Sequence, residues 1–114
     1  MNNLTNSVIT TFNGNLDGAG YSMTYNTSWP SGCQGFIATM TGGSIRNIHI
    51  KNVTTIDDNN EMGFVGCVYA PYSTVTFNDI LMTNNTILNP NTGSFLTGMF
   101  LGMIKFNTTV SVNS

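Results

Sequence analysis

The sequence predicts an all-β fold, built as a parallel β-solenoid of about four rungs. One pattern occurs three times: Phe, a branched aliphatic, Ala or Gly, a variable residue and a large aliphatic. The copies begin at Phe36, Phe64 and Phe100, which lie 28 and then 36 residues apart. A period of this size is typical of stacked supersecondary units. Between the copies, short runs of β-forming residues are separated by Gly and Asn clusters, and helical periodicity is weak.

A second repeat follows the first along the chain. Residues 44–54 align with residues 76–86, with aliphatic or aromatic residues at matching places. Each unit therefore contains a Phe strand, a turn, an Ile-rich strand and another turn. This order predicts one domain over residues 1–114, in which residues 1–9 form an arm or a pairing strand.

Alternation along each Phe strand predicts which residues face the interior. Side chains of successive residues in a strand point to opposite faces, so the first, third and fifth residues share one side. A small third residue would leave room for bulk from the opposite wall. The predicted core ladder is Phe36, Ala38, Met40, Phe64, Gly66, Val68, Phe100, Gly102 and Ile104.

The same alternation places Ile37, Val65 and Leu101 on the outer face. An apolar stripe of this kind is normally covered. The cover is either part of the same chain, namely the N-terminal segment or the loop at residues 25–30, or a contact with another subunit. The sequence leaves both alternatives open.

Asparagine occurs at the end of the Ile-rich strand in both copies, as Asn52 and Asn84. We interpret this pair as a corner stack in which one amide bonds to the next, in preference to two glycan sites. The chain has as many N-x-S/T sequons as its Asn, Ser and Thr content alone would give, so glycosylation is a weak prediction. These sequons begin at Asn3, Asn26, Asn52, Asn84 and Asn107.

The two cysteines, Cys33 and Cys67, occupy different places in the repeat. Stacked in register, they would lie about six residues apart along the strand, or roughly 20 Å. A disulfide needs Cα atoms within about 7 Å. We therefore interpret them as two buried or half-buried hydrophobic residues, with a disulfide as the alternative if a turn folds one cysteine back.

The composition excludes several classes of function. Charged residues make up 7% of the chain, against about 25% in ordinary domains. The net charge of −2 provides no field to attract nucleic acid or an anionic membrane. No apolar run approaches the roughly 18 residues that a membrane span needs. The first six residues lack the basic and apolar regions of a secretory signal. The Thr/Asn-rich surface nevertheless favours an extracellular or cell-surface location.

The ionisable residues do not form a catalytic or metal-binding pattern. Acid–base catalysis on a β-helix would need paired carboxylates on adjacent rungs, and none recurs in the repeat. The acidic segment 57–61 could hold calcium, but a solvated turn is the favoured interpretation. His49 has no partner at ligand spacing. The sequence therefore predicts no enzyme activity, no metal and no cofactor.

The most specific phrase in the chain is F-x-G-x-L-D-G-x-G-Y-x-M at residues 12–23, followed by G-F-I-A, G-G-S-I-R-N-I-H-I-K-N-V and G-F-V-G. Over about residues 10–112 this order resembles right-handed β-helix surface proteins with GLUG-type repeats, such as adhesins. The resemblance implies a right-handed parallel β-helix in a surface or secreted context. It implies no shared catalytic residues.

Together these features predict a non-catalytic structural or adhesive module. Bare β-forming segments at residues 8–12 and 110–112 could each pair with a neighbouring molecule, so we expect a homo-oligomer or a fibre stacked end to end. The alternative to such association is that this sequence is a piece of a longer solenoid. The alternative is a carbohydrate-binding module that uses aromatic stacking. Its candidate residues are Tyr21, Tyr25, Trp29, Tyr69 and Tyr72.

Overall fold

The computed structural model describes residues 3–28, 32–56, 60–88, 100–105 and 107–113. All regular structure in these ranges is β-strand, as predicted. The strands are β1 (Asn3–Leu4), β2 (Ile9–Asp17), β3 (Ser22–Met23), β4 (Asn26–Ser28), β5 (Gly32–Gln34), β6 (Ile37–Lys51), β7 (Thr54–Ile56), β8 (Asn60–Met62), β9 (Val65–Val68), β10 (Ser73–Thr83), β11 (Thr86–Leu88), β12 (Leu101–Ile104) and β13 (Thr108–Asn113).

Every strand pairing in the described ranges is parallel. One sheet has the order β1-β4-β7-β11. A larger sheet has the order β12-β9-β6-β10-β13, and β2 and β3 also pair with β6. A third sheet consists of β5 and β8 alone. Parallel neighbours far apart in sequence require the chain to return repeatedly to the same place, which is compatible with the predicted solenoid.

The register divides the strands into levels and columns. We call β1 level 1, β2–β5 level 2, β6–β8 level 3, β9–β11 level 4 and β12–β13 level 5. A column is a set of strands hydrogen-bonded side by side through successive levels. Ile9, Ile37, Val65 and Leu101 form one row across a column, at intervals of 28, 28 and 36 residues. The two later intervals are those of the sequence repeat.

Levels 3 and 4 have matching corners, one pair inside the long strands β6 and β10 and one pair directly after them. Asn47 and Asp79 occupy equivalent places and both have positive φ, 54° and 53°. Asn52 and Asn84 form a second pair, with φ values of 53° and 54°. Asn and Asp tolerate this left-handed conformation better than other residues with a side chain. The repeat of Asn or Asp at these positions therefore sets where the chain turns.

The predicted column of phenylalanine rings is present. The rings of Phe36 and Phe64 stack with centroids 5.3 Å apart, and those of Phe64 and Phe100 with centroids 5.6 Å apart. The rings of Phe77 and Phe100 make an edge-to-face contact with centroids 4.9 Å apart. Phe64 is fully buried, and Met40 and Val68 belong to the same core cluster.

The predicted outer stripe is corrected by the structure. Ile37 and Val65 are fully buried within the single chain and belong to the core cluster, and Leu101 packs against it. Phe36 and Phe64 lie in bends before the strands begin, so their direction does not follow the parity of the strand. Alternation also fails within the strands, because Ile37 and Met40 of β6, three residues apart, both belong to the core cluster, and so do Val65 and Val68 of β9. No exposed stripe is left at Ile37 and Val65 for a second subunit.

The small residues of the ladder are corrected in the same way. A Cβ on Gly66 would lie 2.6 Å from the backbone N of Gln34 in β5 and 2.8 Å from the backbone O of Ala38. The small residue thus makes room for the backbone of β5, not for bulk from the opposite wall. Ala38 is buried outside the core cluster, and Gly102 is half-buried.

The interpretation of the cysteines as unbonded is wrong. Cys33 and Cys67 form a disulfide with Cα atoms 5.5 Å apart. The bend at residues 35–36 turns β5 out of the line of β6, so a distance counted along one straight strand does not apply. This bond joins level 2 to level 4 and holds β5 beside β9.

Candidate interaction surfaces

Side chains in the middle of a row are buried, and side chains at its ends are more exposed. Leu16, Ile45, Phe77 and Val112 are neighbours in one row of a column. Ile45 and Phe77 are 0% and 1% exposed, whereas Leu16 is half-buried and Val112 is 72% exposed. The middle residues are covered by a level on each side, and the terminal residues are covered on one side only.

We call the exposed face of β12 and β13 the distal end. Ile104 on β12 is 49% exposed and Val112 on β13 is the most exposed residue of its row. Within the described ranges, β13 pairs with β10 alone and β12 with β9 alone. β12 and β13 are thus edge strands of the described sheet, and an edge strand can pair with a further strand. Ile104 was predicted to be a core residue, and it is half exposed because no described level follows it.

We call the exposed face of β2 and β3 the proximal end. Both strands pair with β6 alone among the strands described. Their apolar residues Ile9, Phe12, Leu16 and Met23 are half-buried and pack against the core. The proximal end therefore presents an apolar row and a strand edge, as the distal end does.

Asparagine ladders line the corners, as predicted for Asn52 and Asn84. Nδ2 of Asn84 donates a hydrogen bond of 2.7 Å to Oδ1 of Asn52. A similar bond of 2.9 Å joins Nδ2 of Asn113 to Oδ1 of Asn78, and the sequence analysis missed it. A repeated Asn at positions 78 and 113, which are register partners on β10 and β13, was the available signal.

The other sequon positions differ in their surroundings. Asn26 and Asn107 are exposed, and Asn107 adopts positive φ at a turn. The side chain of Asn3 lies outside the described structure. Accessibility alone does not test whether glycans are attached, so glycosylation stays a prediction.

An electrostatic contact marks the proximal end. Oδ1 of Asp17 accepts a 2.8 Å bond from the backbone N–H of Ala19, and Arg46 lies 3.3 Å from Oδ2. The Ala19 N–H is the main cause that lowers the pKa of Asp17, with help from the Asn47 amide and Arg46. Asp17 thus fixes the turn at Gly18–Gly20, where a Cβ on Gly18 would lie 2.5 Å from the carbonyl O of Asn47.

A shallow groove of about 320 Å³ lies on the outer surface beside β3. Its lining combines polar side chains with two aliphatic ones, and it consists of Gly20, Asn47, Ile48, His49, Asp79 and Leu81. His49 Nε2 lies 2.6 Å from the hydroxyl of Thr83. Tyr21 follows Gly20 and is 78% exposed. The mixture of apolar and hydrogen-bonding groups could contact a sugar ring.

The aromatic residues predicted to bind carbohydrate are dispersed. Tyr25 is buried beside Phe36 and Phe64, so its ring offers no surface on which a sugar could stack. The same burial raises the pKa of its hydroxyl. Tyr21, Tyr69 and Tyr72 are exposed. Trp29 lies outside the described residues.

The acidic loop lies largely outside the described structure. Residues 57–59 are not described, nor are the side chains of Asn60 and Glu61. In the part of the chain that is described, no group of His, Cys, Asp or Glu side chains could hold a metal ion. The same ranges include no helix that is long and apolar enough to cross a membrane.

Comparison with protein-family models, with curated proteins and with solved structures finds no match to this chain. The functional conclusion therefore rests on the two ends, the corner ladders and the outer groove.

Proposed function

We propose that this chain is a right-handed β-solenoid that serves as a non-catalytic structural or adhesive module of an extracellular or cell-surface protein. In this proposal its copies associate end to end into fibres, and the resemblance of the sequence to surface proteins with GLUG-type repeats supports the surface location. One observation carries the proposal. Ile45 and Phe77 are buried in the middle of their row, whereas Val112 at one end of that row and Ile104 on β12 are exposed, and β2, β12 and β13 each have a strand edge without a described partner.

One further feature supports a location outside the cell. The Cys33–Cys67 disulfide is of a kind that persists in oxidising compartments. The exposed sequons at Asn26 and Asn107 are accessible to glycosylation. Mass spectrometry of peptides from protein secreted by eukaryotic cells would then find glycans at these two sites. Complete absence of glycans from secreted protein would count against this use of the sequons.

Association can be tested by light scattering on a size-exclusion column and by negative-stain images across a range of concentrations. The wild-type chain should form linear particles whose length increases with concentration. Val112→Lys places a charge on the distal end and should shift the protein to monomers. Thr74→Lys adds the same charge to β10, an interior strand of the sheet, and should still assemble. A monomer at every concentration would overturn the fibre proposal.

A second candidate function is carbohydrate binding at the outer groove. The observation that favours it is the exposed ring of Tyr21 next to a groove with Asp79, Asn47 and His49. Sugars are commonly held by an aromatic face and a few polar groups. Tyr21→Ala should abolish binding to a glycan array, while Tyr72→Ala, which removes a ring outside the groove, should not. An array with no wild-type binding would exclude this candidate for the glycans tested.

A further inference from the structure

We propose that the Cys33–Cys67 disulfide is a redox-sensitive latch, which a small polar thiol opens by attack on Cys33. Reduction releases β5 from its place beside β9, while the columns that contain β6 and β10 stay folded. The latch is closed in oxidising surroundings and opens where thiols are abundant. This inference is independent of end-to-end association and of carbohydrate binding. Its basis is the way in which β5 is held, the unequal exposure of the two cysteines and a groove beside Cys33.

Packing of apolar side chains does little to hold β5 in place. Among the residues described, none of residues 32–35 belongs to the hydrophobic core cluster. The segment meets β9 through its backbone, since the backbone N and O of Gln34 lie where a Cβ on Gly66 would be. In the same way, the carbonyl O of Gly63 lies where a Cβ on Gly35 would be. Contacts between backbones bury little apolar side-chain surface, so the hydrophobic stabilisation of β5 is small.

Hydrogen bonds also attach β5 to the rest of the chain. The hydroxyl of Ser7 donates a bond of 2.6 Å to Oε1 of Gln34 and accepts one of 3.3 Å from the N–H of Gly35. The N–H of Gly63 donates a bond of 3.3 Å to the carbonyl O of Gln34. Water can replace partners of this kind, so each bond contributes modestly to stability. The covalent link to Cys67 is therefore the main restraint that keeps β5 beside β9.

The two cysteines differ in accessibility. Cys67 is 0% exposed, whereas Cys33 is half-buried. Thiol–disulfide exchange begins with attack of a thiolate on a sulfur that it can reach, which here is Cys33. A bond forms between the two attacking and attacked sulfurs, the Cys33–Cys67 bond breaks, and Cys67 leaves as a thiolate that takes a proton from water. A second thiol attacks the reagent's sulfur and releases Cys33, so two thiols are oxidised to one disulfide.

A groove of about 360 Å³ leads to Cys33. Its walls are formed largely by side chains with hydroxyl or amide groups, among them Asn6, Ser7, Thr10 and Thr39. The volume lies in the range of small-molecule sites. None of the described lining residues carries a charge, so no neighbouring carboxylate repels an approaching thiolate. The groove therefore suits a small, polar thiol such as glutathione.

Reduction of the native protein tests the latch. The folded chain is incubated with reduced glutathione, alkylated with iodoacetamide and analysed by peptide mass spectrometry, and a parallel sample is analysed by amide hydrogen exchange. Both cysteines should become alkylated without denaturant. Amides of β5 should exchange at least tenfold faster after reduction, and those of β6 and β10 should change less than twofold. Alkylation that requires denaturant, or loss of protection in β6 and β10 together with β5, would overturn the latch.

Two variants separate the disulfide from the hydrogen bonds. Cys33→Ser with Cys67→Ser should reproduce the fast exchange of β5 in the absence of any thiol. Ser7→Ala removes two hydrogen bonds to the segment and keeps the disulfide, so β5 should stay protected. Fast exchange of β5 in Ser7→Ala, with the disulfide intact, would show that the bond is not the main restraint.

Filling the groove tests the route of the thiol. Thr10→Trp places a large ring in the groove and should slow reduction by glutathione at least tenfold. Thr74→Trp is the matched control, because it adds the same ring at an exposed position on β10, outside the groove. It should be reduced at the rate of the wild-type protein. Equal rates for the two variants would overturn the groove as the route to Cys33.

Discussion

The middle and the ends of the columns contain similar residues in different surroundings. Ile45 and Phe77 are buried between two levels, whereas Leu16 and Val112 in the same row are covered on one side. The difference shows that burial in this molecule is provided by the neighbouring level and not by the residue type. Stability should therefore come mainly from the middle levels, and the capacity to associate should come from the ends.

The largest expected effect is in the phenylalanine column. Phe64 is fully buried between two stacked rings, so Phe64→Ala should lower the free energy of unfolding by about 3–5 kcal/mol. Phe100→Ala removes a half-buried ring from the end of the same column and should cost clearly less. Urea unfolding followed by circular dichroism measures both values. Equal losses at the two positions would contradict the difference between middle and end.

Loss of the disulfide should have the next largest effect. The bond closes a loop with a sequence separation of 34 residues, for which chain entropy predicts a stabilisation of about 2–4 kcal/mol. Cys33→Ala with Cys67→Ala should show that loss in urea unfolding, and a reductant should then change nothing further. A wild-type protein whose unfolding midpoint is insensitive to reductant would argue against the bond.

A smaller effect on stability is expected at the corner where the side chains of Asn52 and Asn84 form a hydrogen bond. Asn84→Gly keeps the left-handed backbone and removes the amide bond to Asn52, so it should cost about 1 kcal/mol. Asn84→Ala should cost about 1 kcal/mol more, because its side chain disfavours positive φ. Asn113→Ala, at the exposed distal end, should stay within about 0.5 kcal/mol of wild type. Equal stability of Asn84→Gly and Asn84→Ala would contradict a left-handed backbone conformation at residue 84.

The smallest effect concerns acid stability at the proximal end. The pKa of Asp17 lies below its ordinary value of 3.8, so the folded state favours the ionised carboxylate. This contribution is present above pH 3.8 and is lost as the pH falls through the folded-state pKa. Asp17→Asn should therefore make stability less dependent on pH below about 4. Arg46→Gln should retain most of that dependence, since the Ala19 N–H is the main cause. Thermal unfolding between pH 2 and 6 measures both.

The features that could be predicted from sequence are those that repeat at equal places. Phe36, Phe64 and Phe100 stack because the same residue returns in the same register, and Asn52 and Asn84 bond for the same reason. These contacts can be predicted without knowing where the corners lie, because parallel pairing of strands brings equivalent residues together wherever the chain turns.

The features that could not be predicted depend on the corners. The alternation breaks at the bends of Phe36 and Phe64 and again within β6 and β9, so Ile37 and Val65 join the core together with Met40 and Val68. The same bends bring Cys33 back beside Cys67. The segment Gly42–Gly43 also reads as a turn, yet β6 continues through it, with Gly43 at a φ of 86°. Bends of one or two residues change neither the amino-acid composition nor the spacing of the repeat enough to be predicted from the sequence.

Hydrogen exchange of individual backbone amides tests the central claim most directly. In dilute protein, amides of β6 and β10 should be the slowest to exchange, and those of β2, β12 and β13 should exchange much faster. At a concentration where fibres form, β2 and β13 should become protected while β6 changes little. Uniform protection along the chain in dilute protein, or greatest protection in β13, would contradict a closed middle with open ends.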